Sequence, residues 1–383
     1  MMEMKKLTDI CDIQYGYAFD SKCFTEDSSY PQLVRIRDVK KGYSETYYSG
    51  DYPKEYILTE GDLLIGMDGE FNIARWKCSG ALLNQRVCKL TAKVGTNEEY
   101  LRFAMSKSLK EIEKRTAFVT VKHLSAKELN KLELDVPELS KQDKIADTLS
   151  RLERIIEARE EELEKLDDLI KARFVEMFGD PVNNEKGFVK APMGDYMTVL
   201  TDFSSNGSYK TLDNGVTMYD EPNYAWMVRT TDLESGDMDS IKYIDESAYE
   251  LLSKSKIFGG EIIMNKIGSA GKIYLMPQTD MPASLGRNAF MFRYDERINV
   301  KFLYHLLTSD YGQNEIQQYV RVAVTKTITK NDARSVLIIV PPIELQNEFE
   351  IFVNQVDKSK VVVQKALDET QILFNSLMQQ YFG

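Results

Sequence analysis

The sequence is poor in the residues that build metal sites and stapled folds. It has two histidines, His123 and His305, and four cysteines, all in the first quarter of the chain and without a CxxC pair. Zinc sites need Cys and His at close, regular spacing, and disulfide frameworks need paired cysteines. The pattern therefore predicts reduced thiols in a cytoplasmic protein and argues against a zinc site or a disulfide-stapled fold.

Long apolar runs are also missing. No segment approaches the roughly 20 apolar residues that span a bilayer, and the start MMEMKKLTD lacks the apolar stretch of a signal peptide. We therefore expect a cytoplasmic protein with no membrane partner. The 383 residues, 43% of them hydrophobic, are enough for two or three domains with their own cores.

Catalytic motifs are absent as well. The segment GSAGKIY at Gly268 lacks the GxxxxGK[ST] spacing of a phosphate loop. The segment VPPI at Val340 has Val and Ile where the Asn/Asp-Pro-Pro-aromatic motif of amino-methyltransferases has its informative residues. His305 lies in the helical pattern FLYHLL, which favours a packing role over a ligand role. We predict a non-catalytic chain that holds no cofactor.

The charge is unevenly distributed. The net charge is -11, and residues 138–180 contribute -5 while residues 341–383 contribute -3. The rest of the chain is close to neutral, so basic side chains can gather on one face of each globular part. An acidic protein binds DNA weakly by itself. If DNA is the ligand, we expect a basic partner to assist.

Short segments recur in the same order in the two halves of the chain. The distance between the copies grows from 186 to 194, 199 and 204 residues, as expected if the second half gained loop insertions. The pairs are LTDIC and MGDYM, LVRIRDVKKG and MVRTTDLESG, GDLLIGMDG and GEIIMNKIG, VKHLS and TKTIT, MFG and YFG. A series in one order indicates a duplicated unit of roughly 190 residues rather than two unrelated domains.

Each copy begins with a globular part, here called the first head (residues 1–137) and the second head (residues 181–340). Short runs rich in Val, Ile, Leu and aromatics, bounded by Gly, Asp, Asn or Pro, predict strands in both heads. Helices are expected over Glu98–Arg115 and residues 301–319. We predict one α/β domain per head, with a curved, mostly antiparallel sheet.

Each copy ends in a long helical segment, residues 138–180 and residues 341–383. Apolar residues recur in steps of three and four, Ser140 and Asp143 suggest a capping box, and Gly179 before Pro181 suggests the end of the first helix. An apolar stripe of this length needs a partner helix, and the simplest partner is its copy. The predicted fold is therefore α+β: two heads separated by an antiparallel two-helix coiled coil, with an internal pseudo-two-fold repeat.

The duplicated plan resembles the specificity subunit of Type I restriction-modification systems. The features that carry the resemblance are FVEMFGDP at the end of the first helix, VP…Q at the start of both helices and GDLLIGMDG inside the first head. The resemblance implies that the heads are target recognition domains, each reading one half of a bipartite, asymmetric DNA site. It also implies that the helices space the half-sites and dock two methyltransferase subunits, which carry S-adenosylmethionine and methylate adenine N6. A motor-nuclease subunit is a further implied partner.

Arg, Lys, Gln and Asn side chains read base edges and hold phosphates. The candidate DNA-binding residues are therefore those of these types that lie at matching loop positions of the two heads. The candidates are Arg35, Arg75, Gln85, Arg86 and Lys122 in the first head, and Arg229, Lys266, Arg287, Asn288 and Lys326 in the second. Most exposed Lys and Arg residues do nothing specific, so the matched set carries more weight than any member.

Two other functions remain open from the sequence. The acidic charge favours a protein scaffold whose helices and heads bind only protein. An antirestriction mimic that competes for the methyltransferase is a third possibility, although a DNA mimic should carry its acidic charge on the heads, which are nearly neutral.

Overall fold

The computed structural model describes residues 3–115, 123–236 and 240–383. The chain forms two compact units: the first comprises Met1–Glu161 and Val363–Gly383, and the second comprises Glu162–Val362. The first unit therefore holds the first head and the second unit the second head. Each long helix contributes one half to each unit. In the described part of the chain, no helix is both long and apolar enough to cross a membrane.

The described residues of the first head, 3–115 and 123–137, form short strands and three helices. Its strands are Glu3–Lys6, Cys11–Tyr15, Phe24–Thr25, Leu33–Val34, Tyr47–Tyr48, Leu63–Gly66, Ile73–Arg75, Leu82–Leu83, Val87–Ala92 and Glu133–Val136. Its helices are Leu7–Ile10, Glu98–Arg115 and Ala126–Lys131, with short 3-10 turns at Ser21–Cys23, Ile36–Asp38 and Lys54–Tyr56.

The second head repeats this plan with insertions. Its strands are Val189–Pro192, Met197–Asp202, Ala225–Val228, Lys242–Ile244, Lys256–Ile257, Ile262–Asn265, Ile273–Leu275, Ala283–Leu285, Ala289–Tyr294, Arg321–Val322, Lys326–Thr327 and Leu337–Val340. Its helices are Tyr209–Gly215, Thr230–Ser235, Glu246–Leu251, Val300–Thr308, Asp310–Gln317 and Lys330–Ser335, with 3-10 turns at Met193–Tyr196 and Phe203–Asn206.

The strand order is the same in both heads. In the first head, an antiparallel sheet orders its strands as Cys11–Tyr15, Val87–Ala92, Leu63–Gly66 and Ile73–Arg75. In the second head, the order is Met197–Asp202, Ala289–Tyr294, Ile262–Asn265 and Ile273–Leu275. Each head also closes its first and last strands into an antiparallel pair. The predicted internal repeat is thus confirmed by topology, which short sequence matches alone could not establish.

Each head differs from the single curved sheet that we expected. A second small sheet contains a parallel pair, Leu33–Val34 beside Leu82–Leu83 in the first head and Ala225–Val228 beside Ala283–Leu285 in the second. The first of these strands is also shorter than the run QLVRIRDV suggests. It ends at Val34 because the Asp38 carboxylate accepts the Arg35 backbone N–H at 3.0 Å and starts a turn.

The helix expected over residues 301–319 is two helices. The first ends at Thr308, and Ser309 has extended backbone angles (φ -67°, ψ 163°). The Ser309 hydroxyl accepts the Gly312 N–H at 3.3 Å, so this residue caps the second helix instead of continuing the first. The helix predicted over Glu98–Arg115 has those bounds in the structure.

The long helices span Leu139–Phe178 and Ile343–Phe382. The capping box proposed at Ser140 is wrong: Ser140 lies inside the helix, and its hydroxyl donates to Glu138 at 2.9 Å. The predicted stop is confirmed, since the first helix ends before Gly179, whose φ of 72° suits glycine in particular.

In the second unit, segments of the two long helices lie side by side and run in opposite directions. In the second unit Asp167 accepts from Lys360 at 2.6 Å, whereas Arg173, further along the first helix, donates to Glu348, earlier on the second, at 3.0 Å. Their apolar residues enter the core of the head. Phe174 and Phe178 pack on Phe349 with ring centroids 5.4 and 5.5 Å away.

In the first unit, too, both long helices pack into the core of the head. Ile145 and Leu149 of the first long helix are buried in the core of the head, and the C-terminal half of the second long helix packs there as well. Phe374 contacts Phe103 at 6.1 Å and Phe382 contacts Tyr100 at 5.3 Å between ring centroids. Apolar burial of this kind, worth about 1.5–3 kcal/mol for each large side chain, fixes the helices to the heads.

The glutamine of the repeated VP…Q segment joins head and helix. Gln142 is buried, accepts the Asn97 N–H at 2.8 Å and donates to the carbonyl oxygens of Pro137 and Gly95 at 2.8 and 3.2 Å. Its copy, Gln346, makes the same set of bonds to Asn299, Pro341 and Arg297 at 2.9, 2.7 and 3.1 Å. Both amides are fully satisfied, so each glutamine ties three backbone segments into one joint.

Candidate nucleic-acid interface

The parallel strand pair of the first head ends at a concave pocket of about 420 Å³, here called the first pocket. Parallel strands place their carboxyl ends at one edge of a sheet, so the residues that follow them meet. Arg35 and Arg37 follow the first strand, Gln85 and Arg86 follow the second, and all four line this pocket with Phe19.

The second head has a pocket at the equivalent place, the second pocket, of about 300 Å³. Arg229 follows the first strand of the parallel pair, and Arg287 and Asn288 follow the other. Phe203 lines this pocket as Phe19 lines the first. The structure therefore brings together six of the ten candidates, three in each head: Arg35, Gln85, Arg86, Arg229, Arg287 and Asn288.

A buried carboxylate sets the start of each pocket rim. Asp38 and Asp232 lie three residues after Arg35 and Arg229, and each accepts the backbone N–H of that arginine at 3.0 Å. This bond turns the chain out of the strand at the arginine. In the sequence, an Asp follows the Arg at the same distance in LVRIRDV and MVRTTDL. The prediction did not include these aspartates because it was restricted to side chains that bind bases or phosphates.

The two matched arginines differ in their surroundings. Arg229 is held by Asp232, with its Nε and Nη2 atoms 3.1 and 2.5 Å from the two carboxylate oxygens, and it also donates to the Ser240 carbonyl at 2.7 Å. Arg35 is exposed, and no described carboxylate forms an ion pair with it. Its neighbour Arg37 approaches the Asp38 carboxylate only to 3.8 Å. Arg35 can therefore take a new anionic or base-edge partner without breaking an existing bond.

Arg86 projects from an unusual backbone. Its φ is 71°, a left-handed conformation that costs a non-glycine residue about 1–2 kcal/mol. Its Nη1 atom lies 3.3 Å from Asp68 Oδ1 and 3.1 Å from His123 Nδ1, and the His123 ring also contacts Asp68. Half of the Arg86 side chain remains exposed. Backbone strain of this kind concentrates at functional sites.

Arg287 is positioned by a ring and a carboxylate. Its guanidinium carbon lies 4.8 Å from the centroid of the Phe203 ring, and its Nη2 atom lies 2.6 Å from Asp213 Oδ1. The neighbouring Asn288 is exposed at the rim, and its backbone carbonyl accepts the Lys266 N–H at 2.9 Å. A stacked, tethered guanidinium is well placed for bidentate bonds to a base edge or a phosphate.

Lys266 belongs to a buried ion cluster and not to the pocket rim. It is 16% exposed, and its Nζ atom lies 2.8 Å from Asp202, which also accepts from Lys330 at 2.7 Å and from the hydroxyls of Ser204 and Ser205. Burial alone would raise the pKa of Asp202, but these hydrogen bonds outweigh it and hold the pKa well below its usual range.

The side chain of Arg75 likewise forms its bonds within the first head. It donates to the Gly61 carbonyl at 2.6 Å and pairs with Glu98 at 2.9 Å and with Glu99. These bonds join the strand Ile73–Arg75 to the helix Glu98–Arg115, and Arg75 does not line the first pocket. Its glutamate partners lie more than 20 residues away in sequence, so their proximity could not be inferred from local pattern.

The matched lysines fall on the segment before the last helix of each head. Lys326 is exposed on a short hairpin, and its backbone carbonyl accepts the Gly268 N–H at 3.0 Å. Lys122 lies outside the described residues.

The histidines form no metal site. His305 packs its ring on Phe349 with centroids 5.4 Å apart, and burial lowers its pKa to about 4, so it is neutral at physiological pH. Across residues 3–115, 123–236 and 240–383, no group of three or more His, Cys, Asp or Glu is arranged to hold a metal ion.

The two repeats match one protein family. The family described as the Type I restriction modification DNA specificity domain matches residues 1–167 and residues 195–370. The chain belongs to this family. The two matched segments cover the first head, most of the second head and most of both long helices, so the resemblance noted from the sequence is confirmed.

Relatives within the specificity family are distant but cover most of the chain. The Type I restriction enzyme EcoBI specificity subunit of Escherichia coli is 28% identical over 394 residues, covering 97% of this chain and 83% of that protein. The MjaVIII specificity subunit of Methanocaldococcus jannaschii is 23% identical over 303 residues, covering 72% of this chain and 69% of that protein.

Solved structures support the fold. A specificity subunit of a Type I system from M. genitalium aligns with a TM-score of 0.61 at 15% identity, covering 100% of this chain and 96% of the other. A chain from a study of complex assembly and conformational transition of the Type I system aligns with a TM-score of 0.54 at 17% identity, covering 100% and 97%. At these identities the likeness concerns the fold alone.

Proposed function

We propose that this chain reads a bipartite, asymmetric DNA site and directs two adenine-N6 methyltransferase subunits, and a restriction and translocase subunit, to it. The observation that carries the proposal is the duplicated pocket. Each head gathers an arginine and a polar pair at the carboxyl ends of two parallel strands, in equivalent places of the repeat. A protein with two such sites in one chain suits a DNA target in two parts.

The proposed asymmetry rests on the side chains that line the pockets. The first pocket presents Gln85 and Arg86 where the second presents Arg287 and Asn288. Arginine pairs best with guanine and Asn or Gln with adenine, so a different arrangement of the same chemical groups should select a different sequence. We infer that each head reads its own half-site.

The catalytic step is proposed to belong to the partner subunits. In this proposal S-adenosylmethionine is held by the methyltransferase, and the present chain supplies only position and specificity. The charge distribution supports this division, because a chain of net charge -11 needs basic partners to neutralise DNA phosphates. The same proposal places the protein in the cytoplasm with the DNA.

The test is a map of modified bases in genomic DNA. Cells would express the chain together with an adenine methyltransferase subunit of its own system, and control cells would express that subunit alone. We expect methylated adenine within a split motif of two unlike blocks only when the chain is present. Exchanging one head should change one block and leave the other.

The alternative functions predict a different map. A protein scaffold without DNA contact would leave methylation unchanged when the first and second pockets are altered. An antirestriction competitor would lower methylation when the chain is added. Either result, with the methyltransferase shown to be present by immunoblot, would contradict the proposal.

A further inference from the structure

The second head carries an exposed hairpin beside its pocket. Strands Arg321–Val322 and Lys326–Thr327 pair antiparallel, with Val324 at the turn. Val322 is 75% exposed and Val324 is fully exposed. Single exposed apolar side chains are common on protein surfaces. Two on one narrow hairpin, next to a third at Ile267, form a small apolar tip that the rest of the head leaves uncovered.

The hairpin is continuous with the second pocket. At its base Gly268 donates to the Lys326 carbonyl at 3.0 Å, and Ile328 donates to the Lys266 carbonyl at 3.1 Å. The Lys266 N–H in turn donates to the carbonyl of Asn288, which lines the pocket. Backbone hydrogen bonds therefore join the hairpin, the segment at Lys266 and the rim of the second pocket.

The charge around the apolar tip is positive. Lys326 forms no ion pair with any described residue, and Arg321 pairs with Asp332 at 3.2 Å. Lys266 and Lys330 share the single carboxylate of Asp202. Three of these four cations share two carboxylates and Lys326 pairs with no described carboxylate, although the net charge of the chain is -11. An apolar tip flanked by cations complements DNA, which offers phosphates on both sides of a groove and apolar methyl groups on its floor.

From this placement we infer that the hairpin enters the major groove of the half-site read by the second head, and that Val322 and Val324 contact the C5-methyl group of a thymine there. The inference rests on the proposed DNA-reading function. A two-stranded ribbon fits the major groove, which is about 12 Å wide. Thymine is the base that presents an apolar group in that groove, so the valines would favour thymine through a methyl contact that hydrogen-bonding side chains do not make.

The experiment uses the full chain assembled with its methyltransferase subunit. The variant Val322→Ser/Val324→Ser removes the apolar tip, and Val189→Ser removes a comparably exposed strand valine elsewhere in the same unit. Binding is measured on the methylated duplex and on duplexes in which each thymine of the half-site is replaced in turn by deoxyuridine, which lacks only the methyl group.

We expect the double variant to bind the native duplex about tenfold more weakly, a loss typical of one base contact. Deoxyuridine at one position should weaken the wild-type complex by a similar factor and the double variant not at all. The Val189→Ser complex should behave as wild type. Equal deoxyuridine sensitivity in wild type and double variant, or a half-site without thymine on either strand, would overturn the inference.

Two further outcomes keep the inference separate from the proposed function. If the double variant fails to assemble with the methyltransferase while Val189→Ser assembles, the tip contacts protein and the inference is wrong. If the wild-type chain directs no methylation, the proposed function itself fails. Wild-type methylation together with an unaffected double variant overturns only the role of the hairpin.

Discussion

The two pockets share a backbone plan and differ in how their cations are held. In the second pocket Arg229 and Arg287 each bind a carboxylate, at 2.5 and 2.6 Å. In the first pocket Arg35 has no carboxylate partner among the described residues, and Arg86 shares Asp68 with His123. The first pocket therefore carries more positive charge that is not neutralised, whereas the arginines of the second pocket are held in place by carboxylates.

This comparison shows which parts of a duplicated unit are free to diverge. The parallel strand pair and the buried aspartate that turns the chain are present in both heads. The strand pair and the aspartate determine where the residues of the pocket rim begin in each head. The side chains beyond them differ, because changing them leaves the backbone bonds intact. If the rims read DNA as we propose, specificity can change by a few substitutions there while the backbone plan is kept.

The buried ion cluster around Asp202 distinguishes the second head from the first and gives the largest predicted effect. In the first head Met67 stands where the second head has Lys266, so the ion pair between Lys266 and Asp202 has no counterpart at that position. We predict that Asp202→Asn destabilises the second unit by about 3–5 kcal/mol, because Lys266 and Lys330 lose a buried partner. Hydrogen exchange by mass spectrometry, read on peptides of each unit, would measure this. The exposed Asp220→Asn is the control and should leave exchange unchanged.

The same cluster sets a pH dependence. Because the pKa of Asp202 is lowered in the folded state, its contribution to stability is complete above the ordinary Asp pKa of about 3.9 and is lost as pH falls below it toward the folded value. The difference between wild type and Asp202→Asn should be constant from neutral to mildly acidic pH and shrink in stronger acid. A difference that grows on acidification would contradict the assignment.

Alanine pairs in the two pockets come next in size. Arg35→Ala/Arg86→Ala and Arg229→Ala/Arg287→Ala should each weaken binding of the assembled complex to its methylated site by about 100-fold, as expected for two lost contacts of 1–3 kcal/mol each. The salt dependence should separate them. The first pair should reduce the slope of log K against log salt by about 1–2, because its cations are less neutralised, and the second by less than about 1. Equal slopes would remove the electrostatic difference between the pockets.

The buried glutamines Gln142 and Gln346 allow a test of a feature that the two heads share. Gln142→Ala and Gln346→Ala each leave buried backbone groups without partners, which should cost about 1–3 kcal/mol. We expect equal losses, the first in the first unit and the second in the second unit, by denaturant-dependent hydrogen exchange. Gln→Glu at the same positions keeps the acceptor and removes the donor, so it should also destabilise. A loss in only one unit would show that the joints are not equivalent.

Much of the candidate site could be predicted because the repeat supplied a second copy for comparison. The prediction rests on matching positions: Arg35 with Arg229, and the residue pairs that follow the second parallel strand of each head. The structure places the residues of each head in the pocket of that head. Matching positions work here because equivalent residues of a duplicated fold occupy equivalent places. A single copy would have offered only a list of polar loop residues.

The remaining features depend on contacts between distant segments, which local pattern does not encode. Asp202 lies 64 residues before Lys266 and 128 before Lys330, so nothing near Lys266 in sequence marks it as buried. The break at Ser309 depends on a serine that a helical pattern tolerates on its surface. The sequence therefore indicates which residues lie on the pocket rims, but it does not indicate which cations are neutralised by a carboxylate.

Arg75 shows this limit most directly, and it gives the smallest expected effect. It is 34% exposed and bonded to Glu98, Glu99 and the Gly61 carbonyl. We predict that Arg75→Ala costs less than about 1 kcal/mol of stability, since partly exposed ion pairs contribute little. DNA binding by the assembled complex should stay within twofold of wild type, whereas Arg86→Ala, matched in residue type and head, should reduce it. A clear loss of affinity in Arg75→Ala at unchanged stability would return Arg75 to the interface and extend the DNA-contacting surface of the first head beyond its pocket.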